Sequence, residues 1–171
     1  KSGVAMVHQE LSFCENLSVA ENLCLGNLPS KRGFVSKREM RRRAEEMLAP
    51  IDVALDVTRP VGALTIGQQQ MLQIASAIGQ GARLIVFDEP TSSLSQHEAE
   101  RLYTIIGRLR ERGVTCIYVS HRLDEVITLS DKISVLRDGA VMGTWERGHI
   151  DKQTMIERMV GRELNTVLQE L

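Results

Sequence analysis

Apolar positions recur along this chain with two different periods, and the change of period divides it. Gly3-Val4-Ala5-Met6-Val7 is a short apolar run closed by His8-Gln9-Glu10, which predicts a buried strand. Residues 11–35 follow no single period. Val19 and Leu23, with Asn16 and Glu21 beside them, predict a short helix over 18–25, and Gly26, Pro29 and Gly33 punctuate a loop. Ser36 and Glu39 have capping-box spacing, in which each side chain satisfies the other residue's backbone donor. The helix predicted there puts Met40, Ala44, Met47, Leu48 and Ile51 on one face, with Pro50 marking its end. Thr65 and Gln68 repeat the box spacing before a stripe of Met71, Leu72, Ile74, Ala75 and Ile78, and Gly79 or Gly81 ends that helix.

The texture then changes. Leu84-Ile85-Val86-Phe87 is continuously apolar, as expected of a parallel strand covered on both faces. Ser95 and Glu98 form a third box, and the next helix carries Leu102, Ile105, Ile106 and Leu109 as far as Gly113. Residues 114–119 read as a strand, 123–129 as a helix and 132–136 as a strand. Asp138-Gly139 then turns a hairpin into 141–145, and a last helix over 152–160 runs from Asp151 to Gly161. Strands alternate with helices through 82–137, while 10–80 reads as almost purely helical. That pattern is an α/β sheet layer carrying a helical insertion.

Composition narrows the function classes. The 171 residues are 43% hydrophobic and 25% charged, with a net charge of -1, so no global basic excess calls for nucleic acid or an anionic surface. No apolar run approaches the ~20 residues of a membrane span, and Lys1-Ser2 opens no signal-peptide pattern. Cys14, Cys24 and Cys116 form no C-x-x-C pair, which points to a reducing setting, with Cys116 as a small core residue. The cations of residues 31–43 (Lys31, Arg32, Lys37, Arg38, Arg41, Arg42, Arg43) could meet phosphates. Their spacing to Glu39, Glu45 and Glu46 also fits a solvated helix face, which is the reading we adopt.

Four positions carry chemistry. Asp88 and Glu89 follow an apolar strand at its carboxyl end, where open α/β sheets bind ligands. One could hold Mg²⁺ while the next orients water, although two acids there also fit a cap on the next segment. The corner at Thr65, Ile66, Gly67 and Gln68 offers helix N-terminal N–H groups to an anion, although taken alone it reads first as an ordinary capping box. His121 and Gln9 each follow a strand, and either alone is unremarkable.

In this order the four resemble the ATP-binding cassettes of ABC transporters. Val-His-Gln-Glu (7–10) looks like the Q-loop, Leu64, Thr65, Ile66, Gly67 and Gln68 like the signature, and residues 84–89 with Pro90 and Thr91 like Walker B. Ser92, Ser93, Leu94 and Ser95 look like the D-loop, and His121 like the H-loop. Leu17-Ser18-Val19-Ala20-Glu21-Asn22, Gly67-Gln68-Gln69-Gln70-Met71, Val135-Leu136-Arg137-Asp138-Gly139 and Met159-Val160-Gly161-Arg162-Glu163 are similar to the first cassette of bacterial monosaccharide importers of the ribose, xylose, arabinose or galactose kind.

The resemblance implies an α/β P-loop NTPase (RecA-like) parallel-sheet core over 1–9 and 82–148. It implies a Q-loop and helical signature subdomain over 10–81, and a C-terminal helix and tail over 149–171. Asp88, with Gln9, would hold Mg²⁺. Glu89 would polarise the attacking water, with His121 and Gln9 as catalytic partners. The signature and D-loop residues would meet ATP bound to a second cassette in a head-to-tail dimer. A membrane permease would dock on the helical subdomain, and a periplasmic sugar-binding protein would take part indirectly. The setting would be cytoplasmic and peripheral on the inner face of the membrane, with no nucleic acid expected. A non-transport ABC ATPase acting on ribosomes or nucleic acid, or a non-catalytic fragment, is the alternative.

The sequence departs from the family pattern in three places. Thr65 and Ile66 stand where the signature commonly has serine and glycine, and Ser95 where the D-loop commonly has aspartate. No G-x-x-x-x-G-K-[ST] occurs in the chain. The expectation is an N-terminally truncated cassette that binds ATP weakly by itself. Strands 114–119 and 132–136 would then flank a gap, closed by their direct pairing or by another chain.

Overall fold

The computed structural model describes residues 3–8, 12–31 and 33–161, and divides into two units, Lys1–Val119 and Ser120–Leu171. Gln9, and the Arg162-Glu163 end of the last motif, lie outside the described residues.

In the first unit, β1 (Val4–Val7), β4 (Leu84–Asp88) and β5 (Thr115–Val119) form a parallel sheet in the order β1-β4-β5. Between β1 and β4 come α1 (Val19–Cys24), a small antiparallel hairpin of β2 (Ser30–Lys31) and β3 (Phe34–Val35), α2 (Lys37–Leu48) and α3 (Ile66–Gly79). α4 (Gln96–Glu111) joins β4 to β5. The core holds Val19, Ala20 and Leu23 of α1, Met40, Ala44 and Leu48 of α2, and Leu72, Ile74 and Ala75 of α3. These are the stripes that the helical period marks, because only a continuous apolar face can be withdrawn from water at this spacing. Leu102, Ile105, Ile106 and Leu109 do the same for α4.

The sheet corrects the reading of a buried first strand. Val7, Ile85 and Phe87 on one face are fully buried. On the other face Val4, Met6, Ile117 and Val119 are each between 44% and 55% exposed. Leu84 and Val86 of the central strand β4 are also only half-buried on that face, so among the described residues it is the face, not the strand position, that stays open. Cys116 is half-buried rather than a core residue, and burial raises its thiol pKa.

Two further expectations change. The region 10–80 is not purely helical, since the β2–β3 hairpin interrupts it, with Phe34 standing 80% exposed at the turn. The Ser36 box is also only half made. The Ser36 hydroxyl accepts from the Glu39 amide, but the Glu39 carboxylate is drawn to Arg42 and Arg43 instead of back to Ser36. Those guanidiniums hold the Glu39 carboxyl down to about 2. Arg42 also reaches Glu46, which supports the solvated-face reading of this helix.

In the second unit α5 (Leu123–Leu129), β6 (Lys132–Arg137), β7 (Ala140–Glu146) and α6 (Lys152–Val160) pack Leu123, Val126, Ile133 and Met155 together. Asp138 and Gly139 both take positive φ, 50° and 77°, as a two-residue hairpin turn of this twist requires. Within this unit β6 pairs antiparallel with β7. No helix among the described residues is long and apolar enough to cross a membrane.

Candidate functional site

Asp88 ends β4, in register with Val119 on the open face of the sheet. Its neighbour does not continue the strand. Glu89 has φ 47°, the left-handed region that a side chain with a β-carbon seldom enters. Its amide donates to the Val119 carbonyl at 2.9 Å, and its carbonyl accepts from the Ser92 amide at 3.2 Å. The chain therefore turns between the two carboxylates rather than carrying both on one extended strand. Pro90 and Thr91 are buried beneath the turn, Ser92 and Ser93 are exposed, and Leu94 is half-buried. Ser95 then caps α4.

The second corner is the start of α3. Thr65 is its N-cap: the Thr65 oxygen accepts from the Gln68 amide at 3.2 Å, and the Gln68 side-chain oxygen accepts from the Thr65 amide at 3.0 Å. Leu64 is buried beneath the corner, while Ile66 stands 51% exposed at its rim. Capping leaves the backbone N–H groups of Ile66 and Gly67 with no protein acceptor among the described residues. Two free donors at the positive end of a helix suit an anion.

The structure brings these two corners together through a residue whose second role the sequence does not reveal. Glu98, the box partner of Ser95, also accepts a hydrogen bond from the Thr65 hydroxyl at 3.3 Å. The box spacing identifies Glu98 as a cap. Its reach across 33 positions to Thr65 is set by where the fold brings the starts of α3 and α4 together.

Asn22 is a second residue that sequence reasoning passed over as merely part of a motif. It is buried, its amide nitrogen donates to the carbonyls of Cys14, Leu17 and Ser18, and its oxygen accepts from the Cys14 amide at 3.0 Å. One side chain thus fixes the loop 14–18 that precedes α1. Asn22→Ala strands those buried groups and is expected to lower stability by about 1–3 kcal/mol. Urea unfolding measures this, and a change under about 0.5 kcal/mol would contradict the assignment.

His121 lies in the second unit, exposed, between Ser120 and Arg122. Both neighbours are held by one buried carboxylate, Glu125: Arg122 Nη1 lies 2.7 Å from it and the Ser120 hydroxyl 3.5 Å. His121 opens onto a cavity of about 440 Å³ bordered by Leu123, Lys152, Ile156 and Met159. Among the described residues no three His, Cys, Asp or Glu side chains gather as a metal cluster.

The geometry is matched by known proteins. The ABC transporter family model matches residues 1–92. The chain is 43% identical, over 97% of its length, to the arabinose import ATP-binding protein AraG of Mannheimia succiniciproducens. It is also 43% identical, over 95% of its length, to the ribose import ATP-binding protein RbsA of Chromobacterium violaceum. It spans 33% of each, about a third of the length of these relatives. A dimeric ATP-binding cassette bound to ADP and Pi shares the fold with TM-score 0.66 and 25% identity, over 86% of this chain and 64% of that one. So does cbiO1 of Clostridium perfringens, part of the ABC transporter complex cbiONQ, with TM-score 0.75 and 21% identity, over 99% of this chain and 68% of that one. This α/β chain belongs to the ABC transporter family.

Proposed function

We propose that the chain is part of the ATP-hydrolysing subunit of a bacterial importer for a monosaccharide. The observation that carries this reading is the 43% identity, over nearly the whole chain, to arabinose and ribose import ATP-binding proteins. The carboxylate pair at the end of β4 supports it.

In this reading residues 1–9 and 82–148 belong to the ATPase core, 10–81 to the helical subdomain and 149–171 to a C-terminal extension. ATP and Mg²⁺ supply the scissile phosphoryl group and a charge that offsets its oxygens. Asp88 fits the metal. Mg²⁺ keeps most of its waters and takes one or two carboxylates, so a half-buried aspartate at a strand end suffices and no cage is needed. Gln9 would be its second ligand. Glu89 would accept a proton from, or orient, the attacking water, with His121 as a catalytic partner. Leu64, Thr65, Ile66, Gly67 and Gln68, with Ser92, Ser93, Leu94 and Ser95, meet the nucleotide of a second cassette.

The permease docks on the helical subdomain, where Leu25, Leu28, Phe34 and Val35 present exposed apolar surface, and a periplasmic sugar-binding protein acts through it. The subunit works at the cytoplasmic face of the membrane and needs no nucleic acid. Affinity capture from cells tests the reading: a sugar permease is expected to co-purify, and ribosomes in its place would sink it.

The chain by itself has no phosphate-cradling glycine-lysine loop, which supplies much of the grip on nucleotide. Calorimetry of the 171-residue chain with Mg-ATP is expected to show weak binding or none. Submicromolar affinity would contradict this.

A further inference from the structure

Glu98 uses its two oxygens differently. Oε2 accepts from the Ser95 amide at 3.0 Å and the Ser95 hydroxyl at 2.8 Å, on its own helix. Oε1 reaches across to the Thr65 hydroxyl. The carboxylate lies so close over Gly67 that a β-carbon there would stand 2.7 Å from Glu98 Cδ, and Gly67 is buried beneath it. Glycine at 67 is therefore what allows the carboxylate to seat against the start of α3. No ionisable side chain belongs to α3, and on α4 the adjacent His97 makes the smallest of the contributions that lower the Glu98 carboxyl. The Ser95 hydroxyl, then the Ser95 amide, hold the Glu98 carboxyl below the ordinary glutamate value, and the Thr65 hydroxyl adds to this. It is an anion at neutral pH.

We propose that Glu98 is an internal stand-in for phosphate: its carboxylate covers the α3 corner and must swing away before an anion on another molecule reaches Thr65 and Gly67. This rests on the reading above that the corner meets a nucleotide phosphate. The division of labour between the two oxygens makes the swing feasible. The Thr65 contact is the longer one, 3.3 Å against 3.0 and 2.8 Å to Ser95, so a small movement of the soft glutamate side chain breaks the bridge first and leaves the α4 cap in place. An incoming phosphate meets a like charge until that happens. Glu98 thus lowers the affinity of the corner for anions and couples its occupancy to the turn that follows Asp88 and Glu89.

The test uses the ¹⁵N-labelled chain and its Glu98→Gln variant, which keeps the cap because glutamine serves in capping boxes. In an acid titration, the Thr65 and Gly67 amides of the wild type are expected to follow those of Ser95, with one midpoint below the ordinary value of about 4.3. In the variant that titration disappears. Thr65 and Gly67 amides that ignore the Ser95 titration overturn the proposal. At pH 7 both chains are then titrated with sodium tripolyphosphate. Glu98→Gln is expected to shift the Gly67 and Gln68 amides with an apparent Kd about three- to fivefold lower than wild type, the scale of a half-exposed charge pair. Equal or weaker binding by the variant overturns the stand-in role. Silence in both chains at Gly67 and Gln68 overturns the proposal together with the phosphate reading of the corner, while an intact acid titration shows that the bridge itself stands.

Discussion

On the proposed reading, Glu89→Gln is expected to lower ATP turnover by an importer subunit that contains this cassette by a factor of about 10²–10⁴, the usual contribution of a positioned general base. The loss falls on kcat, with the KM for ATP little changed, because glutamine keeps the shape and loses only the basic oxygen. The position suits the role on physical grounds. A residue with a β-carbon held at φ 47° carries about 1–2 kcal/mol of strain, and such strain gathers where function requires a special direction. The hydrogen bond from the Glu89 amide to the Val119 carbonyl holds the backbone there, at the end of a parallel strand. A companion Glu89→Gly chain, relieved of that strain, is expected to keep its thermal stability while losing turnover in the same measure. Turnover within threefold of wild type for Glu89→Gln would remove Glu89 from the mechanism.

Phe87→Ala has the largest expected effect on folding. Phe87 is fully buried on the covered face of β4, the central strand of its sheet, with the Tyr118 ring 6.3 Å away on β5. Truncation of a buried phenylalanine costs about 3–5 kcal/mol through lost transfer energy and the cavity left behind. That is a large part of the ~5–15 kcal/mol that holds a domain together. Urea denaturation is expected to show a lower midpoint with an unchanged slope. The same truncation at Met6, on the open face of the sheet, is expected to cost under about 1 kcal/mol. Equal losses at the two positions would contradict the one-sided burial of the sheet.

The helices were legible in the sequence to within a residue or two. Apolar stripes and cap residues are local signals, and a stripe either closes on a core or does not form. Thr65 with Gln68 and Ser95 with Glu98 make full boxes at the spacing read from the chain. The Ser36 box failed because its glutamate had better partners one turn on, a competition that spacing does not rank. The β2–β3 hairpin was missed because strands of two residues carry no period.

The sequence by itself determined the family, through motifs whose order along the chain survives without any coordinates. It also determined the α/β alternation and the placing of Asp88-Glu89 at a strand end. Only the tertiary structure decided which strand faces are covered, that Glu89 turns out of its strand, and that Glu98 bridges to Thr65 from the next helix. The reason is the range of the forces involved. Periodicity and capping act within a turn or two of backbone, so residue order encodes them directly. Burial of a sheet face and a carboxylate reaching over Gly67 depend on which distant segments come to lie beside each other. No spacing in the chain records that.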